Sequence, residues 1–363
     1  MPSPNLSHEQ PVRAVVIGGG TGNSTVLKGM REITNHGLSA IVNPFDDGGG
    51  TGKLREEYDG LPAVGDLRQC LDAMSGLPLE SRDILSNRWD KGRGNGEVVL
   101  HGQTTGNIVV AAAIRTHYPD LAKGLKAAAA IFNVSGQVLP PTDQNRRLWL
   151  TLPNGEVIKG EHTIEERTDI PRLLGSKLSF DNDDTKISDS AAEAIHDADM
   201  VILAPGDLYT SIAPVLAVKG MREALYPKPV IQVTNLMNRA HHTKGYTALA
   251  YALEYERFLD NQDGRERIIK RVLYNTEQLD PLALAEQKRK SGSSPVRTST
   301  KDLEKHGFTP VGADLLSHRA ITLDPNDAIA NTRSGIRHDP AKVAHAIMGI
   351  WYKNGFANKR GTS

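Results

Sequence analysis

The sequence has 363 residues, enough to bury a substantial core in one large domain or two ordinary ones. Its 43 Lys and Arg residues balance 43 Asp and Glu residues, which excludes a globally basic nucleic-acid-binding protein, and its single cysteine excludes an intrachain disulfide and a multi-thiolate zinc site. Residues 1–13 show no apolar signal segment, and no apolar run approaches the roughly 18 residues of a membrane span, so we expect a cytoplasmic protein with neither membrane nor nucleic-acid partners.

The first predicted elements form a β-α-β unit. Residues 1–12 are polar and contain prolines, which indicates a flexible tail. The apolar run 14–17 is stopped by glycine, as is typical of a buried parallel strand, and an amphipathic helix and a second apolar run at 40–42 follow. We therefore predict an α/β fold with a Rossmann-like, doubly wound, mainly parallel sheet that binds ligands at the carboxyl ends of its strands.

Two glycine-rich turns follow these two strands. The first gives the candidate phosphate-binding residues Gly19, Gly20, Thr21 and Gly22. The second gives the candidates Gly49, Gly50, Thr51, Gly52, Lys53 and Arg55. Glycines let backbone N–H groups approach an anion closely, and the two cations can neutralise phosphate charge. The sequence therefore predicts a site for a nucleotide diphosphate.

Carboxylates beside the second turn suggest a metal ion. Asp46 and Asp47 precede that turn directly, and Asp66 opens a later predicted helix. Mg²⁺ takes carboxylate oxygens and bridges to substrate phosphates, so we predict all three as metal ligands, and Asp46 and Asp66 as catalytic residues if the protein is an enzyme. Alternatives stay open, because the first two are also typical of a turn, and Asp66 with Gln69 is typical of a helix capping box.

The middle of the chain adds a possible lid and an insertion. Residues 80–98 are basic and glycine-rich, which is typical of a lid over an anion or of a solvated loop. Asn107 precedes an apolar helix as its N-cap or as a ligand contact. Alternating leucines around the turn at Asn154-Gly155 predict an inserted β-hairpin over residues 146–160.

Two further buried strands are predicted at residues 200–204 and 230–233, and both end in polar segments. These segments supply the remaining candidate ligand-binding residues, Gly206, Asp207, Tyr209, Thr210, Ser211 and Asn235. Residues 288–305 are rich in Lys, Arg, Ser and Thr, which predicts an exposed connection. With a second tail at residues 356–363, we predict a single domain over residues 13–355.

The glycine turns match neither of the common nucleotide-binding motifs. Gly18 and Gly20 supply two glycines of the dinucleotide fingerprint G-x-G-x-x-G, but the third position is Asn23. A Walker A loop ending at Lys53 would need glycine at Asp47 and Ser or Thr at Leu54. A nicotinamide-dependent enzyme is therefore the weakest of the hypotheses.

The ordered set of motifs resembles the superfamily that contains phospholactate transferase (CofD) and the bacterial gluconeogenesis factor (YvcK). The matching segments are Val16-Ile17-Gly18-Gly19-Gly20-Thr21-Gly22, Asp46-Asp47-Gly48-Gly49, Gly52-Lys53-Leu54-Arg55, Gly65-Asp66-Leu67-Arg68, Gly106-Asn107, Leu139-Pro140-Pro141-Thr142, Pro205-Gly206-Asp207-Leu208-Tyr209-Thr210-Ser211-Ile212, Asn235-Leu236-Met237 and Gly245-Tyr246-Thr247. The chain departs from the factor branch at Gly50-Thr51, where two serines are usual, and at residues 238–244, which replace a more acidic stretch.

The resemblance implies two functions for a nucleotide-diphosphate site. The factor branch implies a regulatory protein of carbon metabolism or of cell-wall and shape control that binds a UDP-sugar, notably UDP-N-acetylglucosamine. The transferase branch implies a Mg²⁺-dependent enzyme that moves a phospholactyl-like group from a nucleotide diphosphate donor to an acceptor hydroxyl and releases a nucleoside monophosphate. We favour the first function, with a homodimer as a candidate assembly.

Overall fold

A computed structural model describes residues 12–34, 37–58, 60–89, 100, 102–170, 172–260, 265–318 and 335–353. The predicted tails at 1–11 and 356–363, and residues 90–98 of the predicted lid, lie outside this part of the chain.

The strands of the described residues are β1 (Ala14–Gly18), β2 (Leu38–Val42), β3 (Gln137–Leu139), β4 (Leu148–Thr151), β5 (Val157–Lys159), β6 (Lys177–Phe180), β7 (Met200–Leu203), β8 (Val230–Val233), β9 (Met237–Asn238), β10 (Ile269–Asn275), β11 (Ser294–Pro295) and β12 (Thr309–Ala313). Seven of them form the central sheet in the order β12-β10-β8-β7-β1-β2-β3, and every pairing in it is parallel. A three-stranded antiparallel sheet, β5-β4-β6, and the short pair β11-β9 complete the strands. The predicted α/β fold with a mainly parallel sheet and an inserted hairpin is confirmed.

The helices alternate with these strands. They are α1 (Gly20–Thr34), α2 (Gly49–Glu57), α3 (Val64–Met74), α4 (Leu79–Ser86), α5 (Thr105–Thr116), α6 (Leu121–Ile131), α7 (Glu161–Glu166), α8 (Asp189–Asp197), α9 (Ala213–Leu216), α10 (Met221–Leu225), α11 (Ala248–Phe258), α12 (Pro281–Ser291), α13 (Thr300–Lys305) and α14 (Pro340–Lys353). A π-helical turn, Leu208–Ile212, precedes α9.

Two apolar layers cover the central sheet. Side chains alternate across a strand, so Val16 packs in the layer that contains α1, α3 and α14, whereas Val15 and Ile17 pack in the layer that contains α8 and α11. All five residues of β1 are buried. A parallel sheet buried on both faces needs continuous apolar strands, which explains why these short runs were recognisable in the sequence.

The three-stranded sheet is larger than the predicted hairpin. Leu150 pairs with Ile158 across the turn, and β6 adds a third strand through the pairing of Leu150 with Leu178. Residues 288–305, predicted as an exposed connection, are mostly exposed and contain the end of α12, the strand β11 and the helix α13. The strand β11 pairs with β9, which follows β8 in the chain. Pairing with a distant strand therefore gives regular structure to a segment whose composition alone is typical of a linker.

Two helix caps differ from those predicted. The side chain of Thr104, not Asn107, caps α5 by accepting the backbone N–H of Asn107. The N-cap of α3 is Ala63, so Asp66 lies within the first turn and does not form the predicted capping box. Residues after Asp47 form the helix α2 and not an open loop.

The described helices were also compared with a membrane span. Within these ranges none combines the length and the apolar character that crossing a bilayer needs.

A buried histidine joins the segment before α14 to the residue that follows β8, and it gives a prediction about pH. His338 Nε2 donates to the carbonyl oxygen of Thr234 at 3.1 Å, and burial lowers the pKa of His338 to about 4. The unfolded chain takes up a proton near pH 6.5, while the folded chain resists it until about pH 4. Stability should therefore fall by about 3 kcal/mol between these pH values through this group alone.

The measurement is urea unfolding across pH 4–7 for the wild type and for His338→Gln, which can still donate to Thr234. The variant should lose the part of the pH dependence that belongs to this histidine. Parallel wild-type and variant curves over this range would show that His338 is protonated to the same extent in both states.

Candidate functional site

The candidate site lies where the order of the central sheet reverses, between β1 and β7. The chain leaves β1 toward β2 and β3 on one side and returns to β7 on the other. Ligands of open α/β sheets bind in the crevice at the carboxyl ends of such strands. Here the first turn of α1 lies against the segment after β7, since a Cβ atom on Gly22 would lie 1.8 Å from the carbonyl oxygen of Pro205. Only glycine allows the two backbones to approach this closely.

The first glycine turn meets three other segments. A Cβ atom on Gly19 would lie 2.4 Å from Asp66 Oδ2, 3.3 Å from Asn43 Cβ and 3.4 Å from Ser211 Cβ. Gly20 has a φ of +62°, a left-handed conformation that favours glycine, and the chain turns there from β1 into α1. Asp66 and Ser211, predicted from separate motifs, are therefore brought to the first glycine turn, and Thr21 lies in the same turn of α1.

The second glycine segment reaches the same helix, α3. Gly49, with a φ of +53°, begins α2, and the N-cap Gly48 offers no side chain to its N–H groups. A Cβ atom on Gly52 would lie 2.1 Å from the carbonyl oxygen of Asp47, and one on Gly65 would lie 2.9 Å from Thr51 Oγ1. Asp66 and Gly65 therefore connect both glycine segments, and α2 presents uncapped N–H groups of the kind that bind anions.

The two predicted cations have different surroundings. Lys53 is exposed on α2 and has no ion-pair partner among the described residues. Arg55 donates to the carbonyl oxygens of Phe45 and Asp46 at 3.1 and 2.9 Å, and to Asn145 Oδ1 at 2.8 Å. Arg55 thus ties the segment before β4 to the segment after β2, which occupies its guanidinium with protein acceptors.

Asp47 caps α7, the helix that follows the strand β5 of the inserted sheet. Its Oδ1 accepts the backbone N–H of His162 at 2.7 Å, although the two residues are 115 positions apart. The N-cap of α7 is Gly160, which has no side chain of its own to perform this role. The carboxylate predicted as a metal ligand therefore also stabilises the start of α7.

Asp46 faces the first residue of that helix. Its Oδ1 accepts the N–H of Gly48 at 2.8 Å, and its carboxyl group shares a hydrogen bond with Glu161. Burial, followed by the proximity of Asp46, raises the pKa of Glu161 well above its ordinary value, and burial also raises the pKa of Asp46. Within the described ranges no group of three or more His, Cys, Asp or Glu residues is placed to hold a metal ion, so Asp46, Asp47 and Asp66 do not form one three-carboxylate site.

The segment after β7 is built around Asp207. Asp207 Oδ1 accepts the backbone N–H groups of Tyr209 and Thr210, both at 3.1 Å, and the Thr210 hydroxyl at 3.0 Å. The Tyr209 ring is fully buried, and its hydroxyl contacts Tyr246 Oη at 2.7 Å and Glu254 Oε2 at 2.9 Å. Asp207 and Tyr209 therefore shape the segment from within.

Two predicted asparagines hold backbones together. Asn235 Nδ2 donates to the carbonyl oxygen of Gly206 at 2.7 Å, and its Oδ1 accepts the N–H of Gly206 at 3.4 Å. Asn107 is buried, accepts from Arg68 Nε at 3.0 Å and donates to Gln103 Oε1 at 3.2 Å. Asn235 thus joins the segments after β7 and β8, and Asn107 joins α5 to α3.

Three residues that the motifs did not single out complete the site. Asn43, the first residue after β2, donates to the carbonyl oxygen of Thr210 at 2.7 Å. Arg239 forms ion pairs with Asp207 at 3.0 Å and Glu165 at 2.8 Å, and Glu161 meets Asp46. A polar residue directly after a buried strand was a usable signal for Asn43. The sequence carries no comparable signal for Glu161 or Arg239, because their partners are distant in the chain.

Comparison with known proteins agrees with this arrangement. The family model described as 2-phospho-L-lactate transferase CofD matches residues 14–316. A relative from Thermoanaerobacterium thermosulfurigenes, assigned by its name to the gluconeogenesis factors, is 33% identical over 353 residues, covering 95% of this chain and 99% of its own. The gluconeogenesis factor of Halalkalibacterium halodurans is 28% identical over 339 residues, covering 92% and 95%.

The structural comparison gives the same result. A crystal structure of a protein from Bacillus halodurans superposes with a TM-score of 0.80 at 27% identity, covering 93% of this chain and 99% of that one. A second structure from that organism, titled as a member of the UPF0052 family, gives a TM-score of 0.79 at 26% identity, with coverages of 94% and 100%. The chain therefore belongs to the CofD family and is a relative of the bacterial gluconeogenesis factors.

Proposed function

We propose that this protein binds a nucleotide diphosphate-linked ligand of the UDP-sugar type, such as UDP-N-acetylglucosamine, at the carboxyl edge of its central sheet. One observation carries the proposal: both glycine segments contact the first turn of α3, one at Asp66 and the other at Gly65. Two backbone surfaces that meet in this way suit two linked phosphates, because glycine has no side chain of its own to keep an anion away from its N–H group.

The charges near α2 support a phosphate ligand. Lys53 is exposed on the helix whose start is uncapped, and it can approach a phosphate without first breaking an ion pair within the described chain. The relatives are named gluconeogenesis factors, which supports a regulatory role in carbon metabolism for the protein that binds this ligand.

A transferase is the second candidate, and the description of the matching family model favours it. In this reaction an acceptor hydroxyl loses its proton and attacks the phosphorus of the transferred group, so a new P–O bond forms. The P–O bond that joins this phosphorus to the nucleotide breaks, and the nucleoside monophosphate leaves with the electrons of that bond. Asp46 and Asp66 would hold Mg²⁺, which when bound would neutralise charge on the diphosphate. The glycine N–H groups and Lys53 would stabilise the leaving phosphate.

Thermal unfolding with added ligands tests the proposal. UDP-N-acetylglucosamine should raise the free energy of unfolding, by about 2.7 kcal/mol at a concentration 100 times its Kd. UMP and free N-acetylglucosamine, which lack the diphosphate, should have much smaller effects. Lys53→Ala should raise the Kd by at least about tenfold, since a hydrogen bond to a charged group contributes about 1.5–3 kcal/mol.

Lys305→Ala is the matched control. This exposed lysine ends α13 just before β12 begins, so it lies near the amino-terminal ends of the strands and not at their carboxyl ends. Stabilisation by NAD but not by the nucleotide sugar, or equal stabilisation by UMP, would contradict the proposal. Release of nucleoside monophosphate from a nucleotide-linked donor in the presence of an acceptor would favour the transferase over the regulatory factor.

A further inference from the structure

Two carboxyl groups from distant parts of the chain meet beside the ligand-binding edge. Asp46 follows β2, and Glu161 is the first residue of α7 in the inserted sheet. The surrounding backbones are in close contact, because Asp47 Oδ1 accepts the N–H of His162 at 2.7 Å and a Cβ atom on Gly160 would lie 2.9 Å from Asp47 Oδ2. The pairing of the two carboxyl groups is therefore fixed by the fold.

One oxygen of this pair has no partner. Glu161 is 6% exposed, and its Oε2 is buried without a hydrogen-bond donor, while its neighbours are the carboxylates of Asp46, Glu165 and Asp207. An acceptor oxygen buried among other acceptors is costly unless something positive lies between them. The orphan oxygen therefore points to a ligand and not only to a structural contact.

The nearby cations are already committed. Arg239 pairs with Asp207 and Glu165, and Arg55 donates to backbone carbonyls and Asn145. Within the described ranges no Lys, Arg or His forms an ion pair with either Asp46 or Glu161. Two carboxyl groups in contact must share a proton or a cation, because like charges at this distance do not ionise together.

We propose that Glu161, together with Asp46, binds a divalent cation such as Mg²⁺ or Mn²⁺ at the junction of the inserted sheet and the ligand-binding edge. Mg²⁺ sites commonly use one or two carboxylates and leave the other positions to water and phosphate, so the pair needs no third protein ligand. Through Glu161 the helix that follows the inserted strands takes part in the site directly. The sequence motifs had placed the metal ligands only near the glycine turns.

The test uses the whole protein and MnCl₂ alone, with free Mn²⁺ measured by electron paramagnetic resonance. Because no nucleotide is present, its outcome is independent of whether UDP-sugars bind. Glu161→Gln keeps the shape of the side chain and can donate an amide N–H to Asp46, so the fold should persist, which circular dichroism checks. The Kd for Mn²⁺ should rise at least about tenfold.

Glu166→Gln removes the same charge from an exposed position of α7 and should leave the Kd unchanged. Unchanged Mn²⁺ binding in Glu161→Gln would overturn the proposal, as would loss of binding in Asp66→Asn with retention in Glu161→Gln. If Glu161→Gln does not fold, anomalous diffraction from wild-type crystals soaked in MnCl₂ tests the proposal instead. An anomalous peak within coordination distance of Glu161 and Asp46 supports the site, and a peak elsewhere or none refutes it.

Discussion

Gly22→Ala is expected to destabilise the protein by about 3 kcal/mol or more. The added methyl group would lie 1.8 Å from the carbonyl oxygen of Pro205, and this neighbour is backbone, so no side-chain rotation relieves the overlap. Either α1 must move away from the segment after β7, or that segment must move away from the sheet. Urea unfolding monitored by circular dichroism measures the loss.

Gly349→Ala provides the matched control. Gly349 lies within α14, and a Cβ atom there would meet no other atom within 4 Å. Alanine is the better helix former, so this variant should be unchanged or more stable by up to about 1 kcal/mol. If both variants unfold at the same urea concentration, the close approach of Gly22 to Pro205 is not a determinant of stability.

Asp207→Ala is expected to cost about 3 kcal/mol. The substitution removes the acceptor for the N–H groups of Tyr209 and Thr210 and leaves Arg239 without its buried partner. The estimate lies at the lower end for a broken buried pair, because the Arg239 side chain is 47% exposed and retains Glu165. Asp207→Asn keeps an accepting oxygen and should retain much of the capping while losing the charge.

The pH dependence of Asp207 provides a second measurement. Burial opposes ionisation, but Arg239, His242 and the hydrogen bonds from Thr210 hold the pKa of Asp207 below its ordinary value. A depressed folded pKa means that this contribution is complete above about pH 4 and is lost as the pH falls further. The difference in unfolding free energy between wild type and Asp207→Asn should therefore shrink below pH 4. A difference that stays constant down to pH 2 would show that the charge of Asp207 does not stabilise the fold.

The sequence revealed the central sheet well because burial on both faces leaves a strong local pattern. The runs that became β1, β2, β7 and β8 are apolar and end at glycine or polar residues. The inserted hairpin was recognisable for a similar reason, since Asn154-Gly155 lies between alternating apolar residues. In these segments the local pattern and the final packing agree.

The helix α2 was not predicted, because the residues at its start favour a loop. Glycines are poor helix formers, so Gly49 to Gly52 indicated a loop. In the folded chain, Leu54 is buried on the core side, and the absence of a side chain at Gly52 lets the helix lie against the carbonyl oxygen of Asp47. Packing therefore outweighs propensity here.

The sequence indicated candidate residues that lie in strand-end and glycine motifs, but not residues whose contacts depend on distant partners. Asp66, in the first turn of α3, and Ser211, after β7, both reach the first glycine turn, where parallel α/β sheets place their ligands. Glu161 reaches Asp46 only because the fold places the start of α7 beside the segment after β2. A single sequence has no periodicity that reports such a contact.

The capping of α7 by Asp47 has a consequence for mutagenesis. A change at Asp47 acts on two places, because it alters the charge beside the glycine segment and also loosens the start of the helix that carries Glu161. With alanine at position 47, the loss of the Asp47 charge could not be separated from a displacement of Glu161. Asparagine preserves an oxygen for the His162 amide, and it is therefore the informative replacement wherever the role of this carboxylate is dissected.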